Sequence, residues 1–212
     1  MVAFRIVRLV LIPSACSVFF VGLAVSAVPF YRGKPFDAKT AVISDLESPE
    51  DNPHGYGAAA LGTATCGILL TPVAVSFYRR LRSVRRKLAF TGALMFASGL
   101  AAAIAIGLLA PFTSGYPRLH IQLAFAAFIG ICSGTLLSLV AARATPALAV
   151  VQSVALLFLL YLYFAPAFFN NDRLLTSLAF WEWMLCLDCA VALWMLGAAL
   201  DRIRPNISTA HV

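Results

Sequence analysis

The sequence predicts an all-α membrane protein, in which residues 1–212 form one domain, a bundle of six transmembrane helices. Hydrophobic residues make up 61% of the chain and charged residues only 12%, against about 25% charged in a soluble domain. The apolar residues form six continuous stretches. The length of each is close to that of a helix that crosses a bilayer, which needs about 20 residues. Barrel strands alternate in polarity, and helices satisfy their own backbone within lipid, so helices are predicted.

The predicted helices cover residues 6–28, 56–78, 88–110, 119–142, 147–169 and 175–200. Apolar segments continue to the C-terminus, which argues against a secreted protein. The first segment lacks a clear signal-peptidase site, so it is predicted to be a retained helix. The longest connection, residues 29–55, is called the outer loop, and it is rich in acids. Val42 and Ile43 inside it suggest a short strand or an interfacial segment. Long loops are often functional.

Lysine and arginine residues set the predicted orientation of the bundle. With both termini in the cytoplasm, eleven of the sixteen basic residues fall on the cytoplasmic side. Six of them lie in the basic run 79–87 between the second and third helices: Arg79, Arg80, Arg82, Arg85, Arg86 and Lys87. Because basic loops stay inside, the outer loop is predicted to be extracytoplasmic. The basic run is also predicted to contact anionic lipid, at about 1 kcal/mol per residue.

Small residues predict which helices lie at the centre of the bundle. The second, third and fourth helices are rich in glycine and alanine, with Gly130 and Gly134 spaced for close contact. The fifth helix has no glycine and is predicted to face lipid. All five cysteines lie inside apolar segments, where they are predicted to act as packing residues rather than to form disulfides.

Two acids fall inside the last helix, and acids at such depth are candidates for function. Glu182 lies about two turns from its outer end, and Asp188 lies near mid-membrane. Their six-residue spacing is a net rotation of about 240°, so the two carboxyl groups are predicted to lie on different faces. The sequence C-x-x-C around Asp188 lacks matching ligands nearby and is interpreted as helix packing.

Further polar residues collect at the outer side of the predicted bundle. This outer group consists of Glu182 together with Ser44, Asp45, His54, His120 and Trp183. One interpretation is a polar pocket open to the outside and covered by the outer loop. The other is a structural network in which the loop is pinned to helix ends and Glu182 is hydrogen-bonded, with His120 as the expected partner.

Known chemical motifs give no catalytic assignment. His54, His120 and Asp45 could in principle approach a metal ion, yet their spacing matches no metal motif. We therefore predict no metal and no cofactor. Nucleic-acid binding is excluded because the chain has no basic soluble domain.

Several of these residues carry a resemblance to a known family. The outer loop holds Ile43-Ser44-Asp45, then Pro49-Glu50 and Gly55-Tyr56-Gly57, while His120 opens the fourth helix and Glu182-Trp183 lie in the sixth. With six helices, this pattern resembles the DRAM/Frag/Sfk family, which contains the damage-regulated autophagy modulators. Ser48 stands where the family has the first proline of Pro-Pro-Glu. The resemblance implies a membrane protein that modulates lipid organisation, trafficking or autophagy, with no agreed catalytic activity, and it supplies no catalytic residue.

Three functions stay open at this point. The leading one is a non-enzymatic protein that binds or organises membrane lipid, or modulates trafficking, through an outward-facing polar pocket. Its predicted partners are membrane lipids, with a protein partner within the membrane also open. The second is an intramembrane lipid hydrolase that uses Ser44, Asp45, His54 and His120. The third is a proton- or cation-coupled transporter with Glu182 and Asp188 as its sites.

Overall fold

A computed structural model describes residues 5–37, 39–113, 117–143, 153–154, 174 and 177–202. Within these ranges the regular structure is entirely helical, which confirms the all-α prediction. The predicted fifth helix, 147–169, lies outside the described residues except at 153–154. A total of six helices therefore stays a prediction.

The described helices follow the predicted segments closely. A π-helical turn, Val7–Leu11, leads directly into α1, Ile12–Phe30. The others are α2, Ile43–Glu47; α3, Tyr56–Thr113; α4, Pro117–Ala142; and α5, Leu178–Arg202. The suggestion of a strand at Val42 and Ile43 is wrong, because Ile43 opens the short helix α2.

The long helix α3 is a hairpin whose turn lies in the basic run. Arg85 has non-helical backbone angles (φ −147°, ψ 80°), which separate a first arm, residues 56–84, from a second arm, residues 86–113. A Cβ atom on Gly67 of the first arm would lie 3.2 Å from the Leu100 carbonyl of the second. The two arms are the predicted second and third helices, folded back against each other.

Four described stretches are long and apolar enough to cross a membrane: Val7–Phe30, Tyr56–Phe112, Arg118–Ala142 and Leu178–Asp201. Large apolar side chains stay exposed on their outer faces, among them Val21, Leu61, Leu94, Phe112 and Val191. Such surface is costly in water and suits lipid. By length and composition, the protein is a multi-pass membrane protein.

Close helix contacts occur where small residues meet. A Cβ atom on Gly130 of α4 would lie 2.5 Å from the Cα of Gly99 on the second arm of α3. On α1, a Cβ atom on Gly22 would lie 3.0 Å from the Cα of Gly62 on the first arm. The close approach predicted for the second, third and fourth helices is confirmed, and α1 joins it through Gly22.

The bundle has two distinct ends. One buried cluster contains Val7, Leu81, Ala89 and Leu200, and it brings together the π-helical turn before α1, the α3 turn and the end of α5. Arg8 and Asp201 form an ion pair at this end. The outer loop packs at the opposite end, through a cluster that includes Leu23, Ile43, Leu46 and Ala59. The start of the described chain and its end therefore lie on the side opposite the outer loop, and which side faces the cytoplasm stays a prediction.

Candidate functional site

The outer loop is pinned to the end of α1 by a buried polar network. The hydroxyl of Ser26 donates to the carbonyl of Leu46 (2.7 Å), and the side-chain amide of Asn52 donates to the Ser26 hydroxyl oxygen (2.7 Å). Both polar side chains are buried. A Cβ atom on Gly55 would lie 2.6 Å from the Ser26 carbonyl oxygen, so this turn needs glycine. The network holds α2 against the mouth of the bundle.

The same loop is tied to the start of α5 on the other side of the bundle. The Ser177 hydroxyl donates to the carbonyl of Lys39. The indole N–H of Trp183 donates to the carbonyl of Ala41 (2.7 Å). The carboxyl oxygen Oε2 of Glu182 accepts a hydrogen bond from the backbone N–H of Ile43 (3.0 Å). The loop therefore bridges α1 and α5 across the outer end.

A third attachment joins α2 to the first arm of α3. Glu47 is 5% exposed, and its Oε1 accepts a hydrogen bond from the hydroxyl of Thr63. Burial raises the pKa of Glu47 to about 7, although the Thr63 hydrogen bond favours the ionised form. Glu47 was not predicted as a site residue, because an acid in a long polar loop looks solvated until the loop is seen folded inward.

A cavity of about 130 Å³ lies beneath α2 at the centre of the described helices. Its walls come from α1, both arms of α3, α4 and α5, and they include Phe19, Phe20, Ala127 and Phe128. At the outer end, polar side chains line it: Ser44, Glu47, Thr63 and Glu182. A cavity therefore lies beneath the outer loop, but its body is apolar, and an opening of this cavity to the outside stays a prediction.

The predicted site residues divide between the cavity and its surroundings. Ser44 and Glu182 line the cavity, while Trp183 holds the outer loop in place. Asp45 is half-buried beside them, where burial and the nearby charge of Asp51 raise its pKa to about 6. His54 is exposed.

The expected pairing of Glu182 with His120 is wrong. Glu182 accepts from Ile43 instead, and within the described residues the Nε2 atom of the half-buried His120 has no hydrogen-bond partner. Asp188 does not line the cavity, so the two acids of α5 lie on different faces, as their spacing predicts.

Cysteine side chains surround the same cavity. Cys16, Cys66, Cys186 and Cys189 line it, and the Sγ atoms of Cys132 and Cys189 are 3.2 Å apart. All five are free thiols. Over the described part of the chain, His, Cys, Asp and Glu form no group of three or more suited to a metal ion. The thiols serve as polarizable packing residues in an apolar wall.

The basic run occupies the opposite end of the bundle. Arg79, Arg82, Arg85, Arg86 and Lys87 are exposed around the α3 turn. Contact of this turn with anionic lipid stays a prediction.

No protein-family model, curated protein or solved structure matched the chain. The resemblance to the DRAM/Frag/Sfk family stays a prediction. The fold and the site together define a class of protein: a multi-pass helical membrane protein whose outer loop folds over a largely apolar central cavity.

Replacing Glu182 tests how the outer loop is held. Glu182→Ala should leave the Ile43 N–H without its acceptor and destabilise the fold by about 1–3 kcal/mol. Glu182→Gln keeps an acceptor oxygen and should be milder. Thermal unfolding in detergent and hydrogen exchange of residues 39–47 measure both effects. Exposed Glu50→Ala is the control, and equal stability of all three variants would refute the anchoring role.

Proposed function

We propose that the protein binds or organises membrane lipid without catalysis, by holding part of a lipid chain in the cavity beneath α2. The observation that carries the proposal is the combination of an apolar body with a polar outer end in one cavity. A lipid has the same two-part character.

The size of the cavity suits a portion of a chain. An engineered cavity of about 150 Å³ holds benzene, and this one measures about 130 Å³. It therefore has room for about six non-hydrogen atoms. A chain entering from the bilayer gains little from the hydrophobic effect, since it leaves an apolar medium. The gain comes from dispersion contacts that an empty cavity forfeits, and selectivity comes from the polar end.

The two alternative functions have less support. A hydrolase needs a nucleophile within hydrogen-bond reach of a base. No hydrogen bond joins any two of Ser44, Asp45, His54 and His120, all of which the structure describes. The transporter hypothesis needs Glu182 and Asp188 to share a path, yet only Glu182 lines the cavity. Lipid binding accounts for the cavity as it stands.

Cavity filling tests this function with a matched control on one helix. Ala127 lines the cavity, while its neighbour Ala126 is exposed. The probe is a long-chain alkanol that carries a diazirine in its chain. Ala127→Phe should reduce photolabelling of the purified protein at least fivefold, whereas Ala126→Phe should leave it near wild type. Equal labelling of the two variants would refute chain binding in the cavity.

The proposal also places the outer loop outside the cytoplasm and the α3 turn inside. Single cysteines at positions 50 and 83, in a background without native cysteines, distinguish the two sides, since both positions are exposed. An impermeant thiol reagent added from outside should label position 50 and spare position 83. Labelling of position 83 but not of position 50 would contradict the predicted orientation of the protein.

A further inference from the structure

We propose that the cavity selects a chain that ends in an amine, with the ammonium group held between Glu47 and Glu182 at the outer end. The inference rests on the proposed lipid binding and names the chemical class of the ligand.

Both acids are buried, and both line the same cavity. Glu47 is 5% exposed and Glu182 is 8% exposed, and both line the cavity. They reach it from different elements, α2 and α5, so the two acids flank the cavity rather than follow each other along one helix. The lining contains no lysine, arginine or histidine among the described residues.

Among the described residues, no cation of the protein pairs with these carboxyl groups. In the described part of the chain, the ion pairs are Arg8 with Asp201 and Lys39 with Asp37. Neutral donors contact the acids instead: the Thr63 hydroxyl contacts Glu47, and the backbone N–H groups of Ile43 and Ser44 contact Glu182. A buried carboxylate is costly unless a charge pairs with it. A bound cation would remove that cost.

A primary ammonium group fits this set of acceptors. It has three donors and no acceptor, while an ionised carboxylate has about four lone-pair sites. Glu47 Oε1 accepts from Thr63, and Oε2 has no hydrogen bond within the described residues. The ammonium can therefore donate to both acids and to the hydroxyl of Ser44, which also lines the cavity. Charge-assisted bonds of this kind are about twice as strong as neutral ones.

Other head groups fit less well. A carboxylate head would place a third acid beside Glu47 and Glu182 and be repelled. A hydroxyl head could hydrogen-bond to either acid but would leave any negative charge unpaired. The predicted order of affinity for chains of equal length is therefore amine, then alcohol, then carboxylate.

Competition against the diazirine alkanol tests this order. The competitors are hexylamine, hexan-1-ol and hexanoate, which share a six-carbon chain, and the full-length protein is used in detergent at pH 8. Hexylamine should block labelling at a concentration at least tenfold lower than hexan-1-ol, and hexanoate should not compete. Glu47→Gln should reduce the preference for the amine at least fivefold, while exposed Glu50→Gln should preserve it.

The outcomes separate this inference from the function on which it rests. Labelling that depends on Ala127, combined with equal competition by hexylamine and hexan-1-ol, would overturn amine selection and leave lipid binding intact. An unchanged amine preference in Glu47→Gln would overturn the assigned role of that acid. Labelling that does not depend on Ala127 would overturn the lipid site itself, and amine selection with it.

Discussion

Gly130→Leu is expected to disrupt the bundle, with a loss of about 3 kcal/mol of stability or failure to fold. A Cβ atom at this position would lie 2.5 Å from the Cα and 2.6 Å from the N of Gly99. Both are backbone atoms that cannot swing aside, so α4 and the second arm of α3 would have to separate. Close backbone approach is the main source of helix association in lipid.

Gly57 provides the matched control for this substitution. It lies in the first turn of α3, and a Cβ atom there meets nothing within 4 Å. Gly57→Leu should therefore be neutral or slightly stabilising, because leucine has the better helix propensity. Thermal unfolding and size-exclusion profiles in detergent compare the two variants. Similar behaviour of both would contradict the packing of α3 against α4.

Stability is expected to fall as pH rises from about 4.5 to about 7, because Glu47 ionises later in the folded protein. Burial raises its pKa from 4.5 to about 7. Within this window the folded state holds more protons than the unfolded state, so raising the pH favours unfolding. The full effect is on the order of 3 kcal/mol. Below pH 4.5 the stabilising contribution of protonated Glu47 is fully present.

Glu47→Gln isolates this contribution. Glutamine keeps an acceptor for the Thr63 hydroxyl but does not titrate, so the loss between pH 5 and pH 8 should be smaller in the variant than in the wild type. Asp45, with a pKa raised to about 6, contributes in the same direction and remains in the variant. Exposed Glu50→Gln should behave as wild type. A pH profile that Glu47→Gln does not alter would contradict burial of this carboxyl group.

Helices were the predictable part of this fold, because they follow from local apolar composition. The segments 6–28, 119–142 and 175–200 lie close to α1, α4 and α5 as observed. The break in α3 at Arg85 also falls within the basic run. Long apolar stretches and clustered arginines are strong local signals, and lipid leaves few alternatives to a helix.

The site was harder to predict because it depends on contacts distant in sequence. Glu182 is predicted as a site residue and is buried at the cavity, but its partner is the Ile43 backbone, 139 residues away. The sequence does not reveal a backbone partner. It favours the side chain of His120 as the partner of Glu182, and this prediction is wrong. Glu47 was missed for a different reason, because its burial depends on how the outer loop folds.

An experimental map of the protein in lipid nanodiscs would test the central claim most directly. We predict elongated density in the cavity between Phe19 and Phe128, with one end within hydrogen-bond distance of Glu47 or Glu182. A cavity closed by collapsed side chains, or an outer loop lifted away from α5, would contradict the account.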